Sequence, residues 1–335
     1  MAEVDTPEEA LVYGPDAPVV EEDEVSNVLD VEYVNGIPCY NTNHKIKGME
    51  IFERIGWDDR VGGTYLAVAG DKELVLRVDW NAKGIVAMES VFLKKIELRN
   101  LWPFFAQLHS AWNMDGLTYL ATYFRPGPTL RDCLNFSRGR FSIGTAARLG
   151  GDILNCLRHL HGLGYVARCL IPELFHLDAA SRHLFMADIS NIRIDPTTFN
   201  VPATTWTGGS LYAPMSVHDS KNGLARGDEL QAWFYLLIHF VKGDLPWDNV
   251  RDEQVADIKR ALQSTLLVGL DGDTWKQIEE KVNSAVGVQV PEDEVYVQIG
   301  DLLKKLAEEA GVESEDENYD FEREANEEEL AEIPR

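Results

Sequence analysis

The apolar residues of this chain keep two different periods, and that most constrains its fold. "TYLAVA" (residues 64–69) and "ELVLRVD" (73–79) are aliphatic, β-branched runs separated by "GDK", the pattern of a hairpin. "GLTYLATYF" (116–124) reads as another strand. Between them, "GIVAMESVFLKKIEL" places Val86, Phe92, Leu93 and Ile96 on one side of a 3.6-residue repeat. From Ser142 as N-cap to Gly162 or Gly164 as stop, the repeat is again helical. Further helices are expected over 227–241, 252–267, 273–285 and 293–309. A strand-rich segment followed by a helix-rich one implies an α+β protein with a small β lobe and a larger helical lobe.

Charge divides the 335 residues differently. The net charge is -25, yet residues 1–32 hold 11 acidic and no basic residues, and residues 308–335 hold 13 acidic residues against Arg323 and Arg335. The remainder is near neutral. Such acidic blocks bury too little apolar surface to order themselves, so residues 1–48 and 309–335 are expected to be largely disordered arms. Strong acidity argues against nucleic acid, whose phosphates need cationic partners. "MAEVDTPEEA" lacks the basic and apolar regions of a signal peptide. "LQAWFYLLIHFV" (230–241) is too short for a bilayer and reads as a buried core helix, so no membrane is expected. Cys39, Cys133, Cys156 and Cys169 are scattered without a C-x-x-C, which points to a reducing, intracellular home, cytoplasmic or nuclear. The histidines lack metal-ligand spacing; His159 and His161 are expected on a helix surface and in packing.

Four strings then occur in a telling order: "GPTLRDCLN" (127–135), "RFSIGTAARLGGDILNCLRHLHGLGYVAR" (140–168), "TGGSLYAPMSVH" (207–218) and "RGDELQAWFYLLIHFVKGDLPWDN" (226–249). Their order and spacing resemble a protein kinase domain of the casein kinase I group, which includes the tau-tubulin and vaccinia-related kinases. The likeness covers about residues 49–306. It implies a bilobal kinase-like domain over 49–308, with an N-lobe over about 49–122 and a C-lobe over about 128–308.

The resemblance also shows what this chain lacks. The family's catalytic loop, H-R-D-x-x-x-x-N with a Lys two residues after the Asp, falls on Ala167, Arg168, Cys169, Ile171 and Leu174. The general base, the lysine and the metal-binding asparagine are replaced. A positioned base is worth roughly 100- to 10,000-fold, and thiolates are poor ligands for hard Mg²⁺. D-F-G falls on Asp188-Ile189-Ser190, which keeps the metal-binding carboxylate. The strand lysine becomes Arg77, with Glu89 as its helix partner, and Val75 replaces the small alanine lining the adenine slot. The glycine loop keeps Gly56 and Gly62, with Asp58 or Asp59 in place of the middle glycine and Thr64 where an apolar residue covers adenine. Two carboxylates there repel a triphosphate. Asp228 is expected to start a buried helix and brace the catalytic-loop backbone.

The fold-determining residues are retained and the reacting ones are not. The expectation is a pseudokinase, a binding, scaffold or regulatory protein in signalling. No functional catalytic residue and no cofactor are expected. If nucleotide binds, weakly, Gly56, Gly62, Arg77, Glu89 and Asp188 would hold it, with Asp188 as the Mg²⁺ ligand. The partners expected are other proteins, including an active kinase or its substrates. An alternative is an active Ser/Thr kinase in which Asp178 or Asp195 takes over as base; another is a domain that binds nucleotide without transferring phosphate.

Overall fold

Strand-like alternation and helical repeats become two lobes. The computed structural model describes residues 31–58, 62–197, 202–219, 223–314 and 317–322. A short hairpin comes first, β1 (Glu32–Val34) and β2 (Ile37–Cys39). A six-stranded antiparallel sheet follows: β3 (Lys45–Ile46), β4 (Met49–Asp58), β5 (Gly62–Ala69), β6 (Lys72–Trp80), β7 (Leu108–Met114) and β8 (Leu117–Tyr123), in the order β3-β4-β5-β6-β8-β7. Helix α1 (Ile85–Leu98) packs across β6, β7 and β8 and buries Val86, Phe92, Leu93 and Ile96, as its periodicity requires.

The second lobe is helical. Its elements are α2 (Leu130–Phe136), α3 (Ile143–Gly162), the short strands β9 (Tyr165–Val166), β10 (Phe175–Leu177), β11 (Leu184–Met186) and β12 (Arg193–Ile194), then α4 (Met215–His218), α5 (Arg226–Lys242), α6 (Asp252–Leu262), α7 (Asp273–Ala285) and α8 (Asp293–Glu309). Ser142 caps α3 by accepting the Thr145 N–H, and Gly164, at φ 84°, sits just beyond its end. Every residue of α5 from Arg226 to Phe240 is buried, so the apolar run is the central core helix expected. Gly150 lets α3 approach α5: a Cβ there would lie 2.8 Å from Leu237, and the Trp233 indole donates to the Gly150 carbonyl.

Three boundaries differ from expectation. The arm does not run to residue 48. Ile37, Cys39, Tyr40 and Ile46 are buried on the outer face of the sheet, where the Tyr40 and Tyr119 hydroxyls meet at 2.8 Å and the Trp80 indole donates to the Asn35 carbonyl. Burying each such side chain contributes about 1.5–3 kcal/mol, enough to order a short hairpin that charge counting alone discounts. The acidic tail is likewise anchored over residues 317–322. Tyr319 is 2% exposed, and its hydroxyl donates to the Arg182 carbonyl. Asp320 accepts from the Ser142 N–H and hydroxyl at the start of α3, and Glu322 pairs with Arg182. Third, the helix expected over 252–267 ends at Leu262 and tightens into a 3₁₀ turn, Gln263–Thr265. Residues 1–30, 315–316 and 323–335 of the arms lie outside the described residues.

Candidate functional site: a cleft between the lobes

The roof of the cleft is one face of the sheet. Thr64 lies opposite Arg77, Leu66 opposite Val75, and Val75 opposite Thr122. Directly opposed residues project from the same face, so these side chains look the same way. Gly56 and Gly62 are in the β4–β5 hairpin, which pairs Gly56 with Thr64 and Asp58 with Gly62. Gly62 has φ 74°, and a Cβ there would lie 2.1 Å from the Val78 carbonyl oxygen. The close approach of β6 by itself requires this glycine. Asp59 lies outside the described residues.

Arg77 connects roof to floor. Its guanidinium is 2.7 Å from the Glu89 carboxylate on α1 and 3.9 Å from Asp188. Glu89 is 1% exposed, and burial pushes its carboxyl up to about 7 against the pull of Arg77. The Asp188 side chain is 45% exposed, and its Oδ1 accepts the Ser190 N–H at 2.9 Å. The sequence reading brought Arg77, Glu89 and Asp188 together, and the three do meet.

The floor carries little chemistry. Cys169 is 5% exposed and Leu174 4%. Leu174 acts through its backbone: its carbonyl accepts the N–H groups of Ala187 and Asp188 and so positions the segment leading to Asp188. Ala167 is buried and Ile171 packs against the core. Arg168, at φ 66°, donates from Nε to the Thr205 carbonyl, and its own carbonyl accepts from Thr207 and Gly208. The 205–208 backbone is therefore tied to the loop through Arg168.

The carboxylate that braces this loop is Glu229, a correction to the expectation for Asp228. Glu229 accepts from the Ala167 N–H at 2.9 Å, the Arg168 N–H at 2.6 Å and the ring of His161 at 2.8 Å; the other His161 nitrogen meets the Tyr296 hydroxyl at 2.6 Å. His161 is thus a buried network residue, and the half-buried His159 packs on Phe104. Asp228 caps α5 by accepting the Ala225 N–H and holds the Gly287 N–H from beyond α7.

Two carboxylates considered as replacement bases are engaged elsewhere. Asp178 is 2.7 Å from Arg125, and Asp195 pairs with Arg226 in a buried contact. His176 went unnoticed in the sequence. Its neighbours on β10, Phe175 and Leu177, are buried, so strand alternation turns His176 out of the core; burial lowers its pKa although Asp132 and Asp188 oppose this.

A transferring kinase needs its phosphates and Mg²⁺ held and a hydroxyl aimed at the γ-phosphate. The donor set does not fit Mg²⁺. One oxygen-bearing position is an alkyl side chain, Leu174, and the remaining carboxylate, Asp188, faces Arg77. What the cleft holds instead is an internal cluster of one guanidinium and two carboxylates.

Sequence comparison agrees with this frame. The chain is 24% identical over 274 residues to a probable serine/threonine-protein kinase of Dictyostelium discoideum, covering 77% of this chain and 53% of that one. It is 28% identical over 181 residues to the serine/threonine-protein kinase spe-6 of Caenorhabditis elegans, covering 50% and 47%. The chain carries a protein kinase-like domain. A third relative, the piRNA biogenesis factor prde-1 of Caenorhabditis elegans, is 25% identical over 158 residues, 42% of this chain and 30% of that one. The chain spans about half the length of the two kinases it matches. No protein-family model matches it. Among the described residues no helix is long and apolar enough to cross a membrane.

Proposed function

We propose that this kinase-like domain is a pseudokinase of casein kinase I type, a protein-binding scaffold or regulator from which phosphoryl transfer has been lost. The observation that carries the reading is the burial of Cys169 and Leu174 at the positions of base and metal ligand, with Asp178 and Asp195 held in ion pairs. Loss of the base alone removes roughly 100- to 10,000-fold in rate. The partners are other proteins inside the cell, including an active kinase or its substrates. The acidic arms could present themselves to a kinase that favours acidic substrates, a step resting on family analogy.

Thermal unfolding of the full-length chain with and without Mg²⁺ATP tests the reading. A ligand at 100 times its dissociation constant adds about 2.7 kcal/mol, a shift of several degrees in a chain this size. The expected outcome is no shift at millimolar Mg²⁺ATP. One observation favours a second reading, nucleotide held without transfer: Asp188 is half exposed and still faces Arg77. A Mg²⁺-dependent shift abolished by Asp188→Ala would replace the first reading with the second.

A further inference from the structure

Beside the cleft, residues 210–213 form a tight turn in which the Ala213 N–H returns to the Ser210 carbonyl. Three of its four carbonyls accept from side chains. The Trp247 indole donates to Leu211, and the Lys259 amine of α6 donates to Ser210 at 2.7 Å and Ala213 at 2.6 Å. Lys259 is 1% exposed, and its amine lies 4.9 Å from the Tyr235 ring centre and 5.1 Å from that of Trp247. Among the described residues no carboxylate lies within ion-pair distance of it. An amine in such a place is held by carbonyl dipoles and ring faces, with no carboxylate to favour its charged form.

We propose that Lys259 is the positioning residue for this turn, fixing the 210–213 backbone in a clamp that responds to pH. Neighbouring contacts support the assignment. The Ser210 hydroxyl donates to Asp252 at the start of α6, and the Met215 N–H donates to the Gln231 side chain of α5. The turn is thereby clamped between two helices, and Lys259 alone grips it at two carbonyls.

The clamp should respond to pH. Burial lowers the Lys259 amine to about 7, against 10.5 for a lysine in water. The charged and titratable groups around it are Tyr235 on α5, His218 and Asp219 at the end of α4, and Asp252, Asp257 and Arg260 on α6; Lys259 in turn helps to lower His218. If the turn releases, the amine returns to water and its ordinary value. Between about 7 and 10.5 the held state therefore binds fewer protons than the released one. The clamp tightens as pH rises through this window and is weakest below its lower edge.

The test uses the full-length chain and its Lys259→Met and Lys259→Arg variants. The Lys259 side-chain carbon signal is followed by NMR against pH, and amide exchange at Ala213 and Met215 is measured and corrected for intrinsic rates. The native signal should titrate near 7, with protection of the two amides rising above it. Lys259→Met should lose about tenfold of that protection and all of its pH dependence, with α5 unchanged. Lys259→Arg, with donors kept and charge fixed, should show no pH dependence and stay at the native low-pH level of protection. Titration at the value of a lysine in water would overturn the proposal. So would Lys259→Met protection within about twofold of native, or an equal loss throughout α5, which would make the lysine a general packing residue. None of these readouts involves a partner, so they stand or fall apart from the protein-binding reading.

Discussion

Glu229 and Asp228 stand side by side, and only one of them holds the loop. Neighbours on a helix point about 100° apart, so "RGDEL" offers two equivalent acids until the phase of α5 is known. Cleaving the Glu229 interactions leaves two loop N–H groups and His161 without their acceptor. Glu229→Ala should cost about 3–5 kcal/mol in denaturant unfolding, while Asp228→Ala, chiefly a cap, should cost about 1–2 kcal/mol. Equal losses would return the bracing role to Asp228. Leu174 makes a complementary case. Its type was legible, but its burial was not, and Leu174→Asn should cost about 1–3 kcal/mol as a polar group without a partner, with no phosphoryl transfer gained. At Asp178, burial raises the carboxyl pKa, but hydrogen bonds from Arg125, Ala180 and Ser181 outweigh it and hold the group below the usual 3.8. Its folded value being depressed, its stabilisation is present above the ordinary aspartate range and is lost as pH falls through the folded value. Asp178→Asn should flatten the acid limb of a stability-against-pH curve by that contribution; an unchanged limb would show the Arg125 pair to be idle.

At the scale of elements, periodicity located β5, β6, α1, α3, α7 and α8, because each buries one face, and apolar runs located β8 and α5, which are buried on every side over most of their length. What composition hid were the two short anchored pieces at the ends. Net charge is an average, and it masked Ile37, Cys39 and Tyr40 on one side and the Tyr319–Phe321 ring pair on the other. The 317–322 segment is held by specific contacts: Arg148 lies 4.0 Å over the Tyr319 ring, Phe321 meets Phe141 edge-on, and Asp320 completes the cap of α3. Tyr319→Ala should cost about 3–5 kcal/mol and Asp320→Ala about 1 kcal/mol, read as thermal unfolding of the full chain. A Tyr319→Ala chain that melts with the native one would mean that the segment contributes nothing to the lobe. A domain cut at residues 49 and 308 should lose both anchors and unfold more easily than the whole chain.

Over the whole molecule, the two-lobe frame was legible because strand and helix periods follow one another and four strings keep their order. The joint between the lobes was not, because it depends on contacts distant in sequence. Arg125 in the linker after β8 donates to the carbonyls of Trp102 and Phe105, pairs with Asp178 and lies 3.9 Å over the Phe185 ring. One guanidinium thus joins the linker, the α1–β7 connection and the β10–β11 hairpin. On the reading proposed above, the kinase-like frame is kept and Cys169, Ile171 and Leu174 replace the residues that would react. The most direct measurement is transfer of label from γ-labelled ATP, with Mg²⁺, by the full-length chain to itself and to an acidic protein substrate. The account predicts no incorporation above that of Asp188→Ala; incorporation that Asp188→Ala abolishes would contradict it.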